Sequence, residues 1–278
     1  MPTPALVQTP TPMLAPNKTL EQSLSFLAAP HYRSSSRRYG ARRIRCGYSC
    51  FEARNVSYTP PGTQVSLLNE VSFSLPQKSC GLIFGRSGSG KTTLLQLIAG
   101  LNKPTSGLIV VQRYGADGLP ENAAKLLTPE RVGLVFQFPE RYFLTDTVIE
   151  EVTFGWPKQR ADSSLREQLA FNLSKALKWV GLEGIPFGKS PLSLSGGYKR
   201  RLALAIQLVR TPELLILDEP LAGLDWKARA DVVNLLKHLK QEVTLLIVSH
   251  DLKELASLVD QSWRMKLGGM LEQEPLPS

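Results

Sequence analysis

Cysteine is scarce in this chain, with three in 278 residues. Cys46, Cys50 and Cys80 are too few for a disulfide framework or a four-ligand metal site. Cys46 and Cys50 have no histidine beside them and read as a solvated junction, whereas Cys80 lies in an apolar run and reads as core. Long hydrophobic stretches are missing too. No segment approaches the roughly 18 apolar residues that span a bilayer, so any membrane this protein serves is crossed by another chain. Internal repeats are absent, which excludes solenoids and propellers.

Acid is nearly missing from the first fifty residues. Glu21 stands alone against Lys18, Arg33, Arg37, Arg38, Arg42, Arg43 and Arg45, so this stretch carries most of the formal charge of +9. What remains is too little for a nucleic-acid groove, and no nucleic acid partner is expected. Pro2, Pro4, Pro10, Pro12 and Pro16 forbid a regular helix at the front. A basic, hydroxyl-rich, acid-poor leader reads as an organelle transit peptide, here residues 1–46. Its prolines precede its arginines, which fits chloroplast import better than the Arg-bearing amphipathic helix of a mitochondrial presequence, the alternative address. Processing is expected near Arg45 to Gly47. Residues 47–278 then form the folded domain, and 42% apolar composition is enough for a core.

Phe51–Tyr58 and Val71–Leu75 alternate as strands on either side of the Pro60-Pro61-Gly62 turn, which predicts an antiparallel sheet. Apolar runs at Cys80–Phe84, Arg131–Gln137, Leu214–Leu217 and Val243–Val248 are separated by helical patterns, which predicts a parallel sheet covered on both faces. From Thr145 to Pro191 the pattern is helical, with Leu169, Leu173, Ala176, Leu177 and Val180 on one face, and a helical subdomain is expected over about 141–200. The fold class is α/β.

Between the first apolar run and a helix stands Gly85-Arg86-Ser87-Gly88-Ser89-Gly90-Lys91-Thr92-Thr93. Every position of a phosphate-binding loop is filled. Its glycines let backbone N–H groups close on an anion at a helix N-terminus, Lys91 reaches the terminal phosphates and the Thr92 hydroxyl can ligate Mg²⁺. Asp218 and Glu219 end an apolar strand, where ligands of open α/β sheets collect. Asp218 would hold Mg²⁺ through its water shell, and Glu219 would position and deprotonate an attacking water. Ser195-Gly196-Gly197 opens another helix and makes a second anion-binding turn. One chain does not need two such turns for one nucleotide, so the second is expected to serve the nucleotide of another copy.

With these motifs in this order, the span from about Phe51 to about Met270 resembles the nucleotide-binding subunit of an ABC transporter, a P-loop NTPase in which two subunits sandwich two ATP molecules. The resemblance implies further roles: Tyr58 stacks on adenine, Gln137 senses Mg²⁺ and water while linking to the membrane partner, Asp225 joins the subunits and His250 contacts the γ-phosphate. Tyr198 departs from the pattern, which usually has Gln there, and leaves an unequal pair of subunits open. Phe136-Gln137-Phe138-Pro139-Glu140, with Lys199-Arg200-Arg201, is similar to the ATPases of energy-coupling factor importers, which take up vitamins and transition metals. Phe138, Tyr142 and Phe143 are then candidates to grip a transmembrane subunit, or else core of the helical subdomain. The implied protein is an ATPase with ATP and Mg²⁺, a second cassette and an integral membrane partner, on the stromal face of a plastid membrane. The competing readings are a soluble assembly factor without a transporter and a module that binds ATP without turnover.

Overall fold

The computed structural model describes residues 48–156 and 163–276. The expected leader 1–46, with Cys46 and the processing point, lies outside these residues. Strands β1 (Tyr48–Tyr58) and β2 (Leu68–Pro76) precede β3 (Cys80–Gly85) and helix α1 (Lys91–Ile98). Next come β4 (Ser106–Tyr114), β5 (Lys125–Leu126) and β6 (Val132–Val135), then helices α2 (Val148–Val152), α3 (Ser163–Trp179) and α4 (Gly196–Leu208). The chain continues through β7 (Leu214–Asp218), α5 (Trp226–Leu239), β8 (Thr244–Val248), α6 (Leu252–Leu255), β9 (Gln261–Met265) and β10 (Leu271–Gln273).

Two sheets result. One is antiparallel, in the order β2-β1-β4-β5; the other runs β10-β9-β3-β8-β7-β6. In the second, β9, β3, β8, β7 and β6 are all parallel and only β10 reverses. Both expected sheets are therefore present. The middle strands are apolar throughout because each face has a cover. Leu82, Leu215, Leu217, Leu245 and Ile247 pack with residues of α3, α4 and α5. Their alternate neighbours Ile83, Leu214, Ile216, Leu246 and Val248 pack with α1 and the antiparallel sheet. A period of two thus divides each strand between two cores.

Three expectations change. The strand expected over Arg131–Gln137 ends at Val135, and Gln137 lies beyond it, exposed, in a loop. The helical stretch from Thr145 is broken, because α2 covers only five residues before the chain turns. Cys50, read as a solvated junction, is buried on β1 beside the β4 residue Gln112. Strand pairing withdraws that thiol from water, which a local reading of the sequence cannot show. Cys80 is core as expected.

Among the described residues no helix is long and apolar enough to cross a membrane. Burial pushes both thiols up, Cys80 to about 12. A thiol must ionise to react, so a thiol reagent at pH 8 is expected to leave Cys50 and Cys80 unmodified in the folded chain and to label both after denaturation, as read by peptide mass spectrometry.

Candidate active site

Four parallel strands in the order β3-β8-β7-β6 end on one side of the sheet. After β3 comes the phosphate loop, after β8 His250, at the end of β7 the Asp218–Glu219 pair, and after β6 Gln137. Register fixes this line-up: Ile83 pairs with Val248, and Val248 with Asp218. The sheet thus gathers four residue groups that the sequence scatters over more than a hundred positions.

The loop is built on glycine where the backbone requires it. Gly90 caps α1 in the left-handed region with φ of 102° and supplies no side-chain cap, so the first N–H groups of the helix keep their free donors. A Cβ on Gly85 would overlap the Met265 carbonyl oxygen of the adjacent β9. Lys91 is buried and its Nζ donates to the Gly85 and Arg86 carbonyls, each at 2.8 Å. Burial lowers its pKa, with Glu219 and Asp218 acting in the opposite sense. Ser89 Oγ is buried with no hydrogen-bond partner among the described residues. An orphaned hydroxyl beside free helix N–H groups and a lysine fits phosphate oxygens.

Burial raises the Asp218 pKa, Glu219 adds to the rise, and Lys91 and His250 oppose it. Glu219 holds a left-handed backbone with φ of 46°, and its N–H donates to Val248 O at 2.8 Å. Its carboxylate accepts from Ser249 Oγ at 3.0 Å and from the His250 N–H at 3.2 Å, and its other oxygen lies 3.3 Å from His250 Nε2. Ser249 is fully buried and orients the carboxylate; the sequence reading missed it, though its place between Val248 and His250 was the signal. His250 is exposed on the side of its ring that does not face Glu219.

Tyr58 pairs with Leu68 in the sheet and packs against the core that contains Leu68, and Leu68 lies against Gly90 of the loop. The glycines of the second turn face Leu224 and Ala228. Ser195 is the N-cap of α4 but makes no capping bond, and it lines an open cavity of about 480 Å³ with Lys189 and Tyr198. Asp225 caps α5 by accepting from the Ala228 N–H at 2.8 Å. His238 is exposed on α5, as its lysine-rich surroundings suggest.

A model of the family described as ABC transporter matches residues 68–222, more than half of the chain. The chain belongs to the ABC transporter family. It is an ATPase: it binds and hydrolyses ATP. It is 68% identical over 236 residues, 85% of each chain, to ABC transporter I family member 11, chloroplastic, of Arabidopsis thaliana. It is 39% identical over 218 residues, 76% of this chain and 74% of the relative, to the energy-coupling factor transporter ATP-binding protein EcfA2 of Clostridium acetobutylicum. The fold matches cbiO1 of Clostridium perfringens, described as part of the ABC transporter complex cbiONQ, with a TM-score of 0.66, 28% identity and coverage of 81% of this chain and 88% of that one.

The ATPase carries an energetic load at Asp218. A carboxyl whose folded pKa lies above its unfolded one binds its proton more firmly when folded, so its contribution to stability is lost as pH rises from about 4 through the raised value. Asp218→Asn is expected to melt at a higher temperature than the parent without nucleotide, with the gap widening as pH rises over that window, while ATP turnover falls at least about tenfold. Melting curves across pH, paired with a phosphate-release assay, measure both.

Proposed function

We propose that this chain powers an importer in a plastid membrane as one half of a pair of ATP-binding cassettes. Gly197 carries the reading. Gly196 and Gly197 both lack positive φ, but a Cβ at Gly196 would crowd Leu224 at 3.3 Å, whereas one at Gly197 would meet only Ala228 at 3.6 Å, an ordinary contact. Glycine disfavours a helix by up to about 1 kcal/mol per residue, so the chain's own packing gives little reason for Gly197. Close approach from outside does. A second cassette bringing ATP against Ser195 and these free N–H groups is the solution that also accounts for the phosphate loop lying elsewhere.

In this reading Lys91, Ser87, Ser89 and the N–H groups of Gly88 and Gly90 hold the phosphates, with Arg86 and Thr93 flanking them and Tyr58 against adenine. Asp218, Thr92 and Gln137 would hold Mg²⁺, which neutralises phosphate charge. Mg²⁺ takes few protein carboxylates and relies on phosphates and water, in keeping with only two acids here. Glu219 orients a water and takes its proton as the water oxygen bonds to the γ-phosphorus and the bond to the bridging oxygen of ADP breaks. His250 follows the γ-phosphate, and Ser195 and Gly197 of the second cassette close the chamber.

A membrane partner is supported by an apolar surface on the helical part. Leu144, Ile149, Phe154 and Phe187 are exposed, and the Ile149 N–H donates to Phe187 O at 3.0 Å, which gathers these side chains round α2. Tyr142 is exposed and stacks on Phe136 with ring centroids 4.5 Å apart, which leaves it available to a partner, whereas Phe138 is half-buried and Phe143 packs on the main core. Apolar clusters of this kind mark interaction sites. The chloroplastic relative and the basic leader support the plastid, and the resemblance to energy-coupling factor ATPases supports transition-metal ions as cargo.

Glu219→Gln is expected to lower turnover by about 10²-fold or more and to accumulate as an ATP-bound dimer in size-exclusion chromatography. A parent chain that turns over ATP at full rate as a monomer overturns the paired reading. Gly197→Ala should melt no lower than the parent and yet lose at least about tenfold in hydrolysis; unchanged turnover removes the outside approach as the reason for the glycine. For the membrane partner, affinity capture from chloroplast membranes should retain an integral membrane protein with the parent and lose it with Ile149→Asp plus Phe154→Asp. Recovery of a soluble scaffold alone would reject the importer.

A further inference from the structure

Arg200 is a charged side chain with 3% exposure and no ion pair among the described residues. Its guanidinium is instead held by three carbonyls of two other segments. Nη1 donates to Phe136 O at 2.9 Å, and Nη2 donates to Gln137 O at 2.7 Å and to Ala222 O at 3.3 Å. Nε has no partner among the described residues. Burial lowers the pKa of this arginine and only Glu140 opposes the effect. A buried cation without an acid is an expensive way to pin a helix, and an apolar side chain would pack the same space at less cost. The price implies a task beyond packing.

The three segments that meet at this fork are those whose relative placement matters for ATP turnover. Arg200 belongs to the first turns of α4, whose N-terminus is the Ser195–Gly197 turn. Phe136 and Gln137 form the loop after β6, and Ala222 lies in the turn between Glu219 and Asp225. A second contact joins the last two, since a Cβ on Gly223 would lie 3.5 Å from the Phe138 ring. Arg201 reaches the other way, donating to Val180 O at 3.0 Å at the end of the α3 region. Neighbouring arginines therefore fasten one helix both to the nucleotide-site loops and to the helical part.

We propose that Arg200 is a positioning residue that locks the Ser195 turn, the Gln137 loop and the Ala222 turn into one body, so that a shift of any one on ATP binding or partner contact carries the others. Phe136-Gln137-Phe138 and Lys199-Arg200-Arg201, far apart in sequence, are then two halves of one coupling device. A planar fork can hold three carbonyls in a fixed relation, whereas an ammonium cannot reproduce that geometry. The intrachain phosphate loop does not touch this fork, so nucleotide affinity of the single chain should not depend on it.

The test uses Arg200→Lys and Arg200→Met in the full chain. Affinity for a fluorescent ATP analogue should stay close to that of the parent and the melting temperature should fall, since three carbonyls lose their donor, while kcat falls about tenfold for Lys and about a hundredfold for Met with KM within about threefold. In a Glu219→Gln background, Arg200→Met should weaken ATP-driven pairing at least tenfold. Parent-like kcat in both variants overturns the proposal, as does a loss of ATP affinity in step with kcat. The pairing measurement rests on the two-cassette reading: failure of Glu219→Gln alone to pair rejects that reading, whereas pairing that survives Arg200→Met rejects the role of Arg200. If neither variant folds, hydrogen exchange on the parent decides. Amides of 134–140, 196–202 and 220–225 should respond to ATP and Mg²⁺ with one common midpoint, and separate midpoints overturn the coupling.

Discussion

Parallel pairing of β3 with β8, and of β8 with β7, is the constraint on which the active site rests. Register places the ends of these strands side by side, so the phosphate loop, Ser249 with His250, and Asp218 with Glu219 leave the sheet together. Slipping any strand by one residue would exchange the two cores and turn the acids away from Lys91. The two-sided apolar burial of Leu214–Leu217 and Leu245–Val248 is what prevents the slip. Packing far from the nucleotide thus determines the chemistry at the strand ends.

The site is assembled from groups that each sit badly by themselves. Lys91 is buried and satisfied by carbonyls, Asp218 is driven toward its neutral form, Ser89 Oγ is unsatisfied, and Glu219 occupies a backbone region that side chains disfavour. In the proposed function a polyanionic substrate would meet Lys91 and the Ser89 hydroxyl, and its cation would meet Asp218. A polar pocket tuned this way exchanges some stability without ligand for strength of response to it. Arg200 follows the same logic one layer out, where a buried charge is held by carbonyls of the loop after β6 and of the turn after β7.

Much of this was legible in the amino-acid order. The phosphate loop could be read because its glycines, lysine and threonine act through local backbone geometry within nine residues. The central strands could be read because two covered faces demand uninterrupted apolar runs. Expectations failed where the deciding contact came from elsewhere in the chain. Cys50 was read together with Cys46 as a junction, yet it lies within β1, paired with both β2 and β4, and is buried. Gln137 looked like a strand end because Phe136 and Phe138 are apolar, yet the ladder with β7 stops at Val135. Ser249 was missed, and Arg200 was noted only as part of a family-like phrase, because the burial of both and the partners they hold come from distant segments.

The sequence by itself determined the ATPase class and singled out the phosphate loop, the Asp218–Glu219 pair and the Ser195–Gly197 turn as candidates, since these depend on residue identity at short spacing and on helix ends. Only the tertiary structure decided that Ser249 and His250 hold the Glu219 carboxylate, that Gly197 meets only an ordinary contact within the chain, and that Arg200 holds carbonyls of two loops. Those are long-range relations, set by strand register and helix packing, and no local pattern of residues encodes the distance between them.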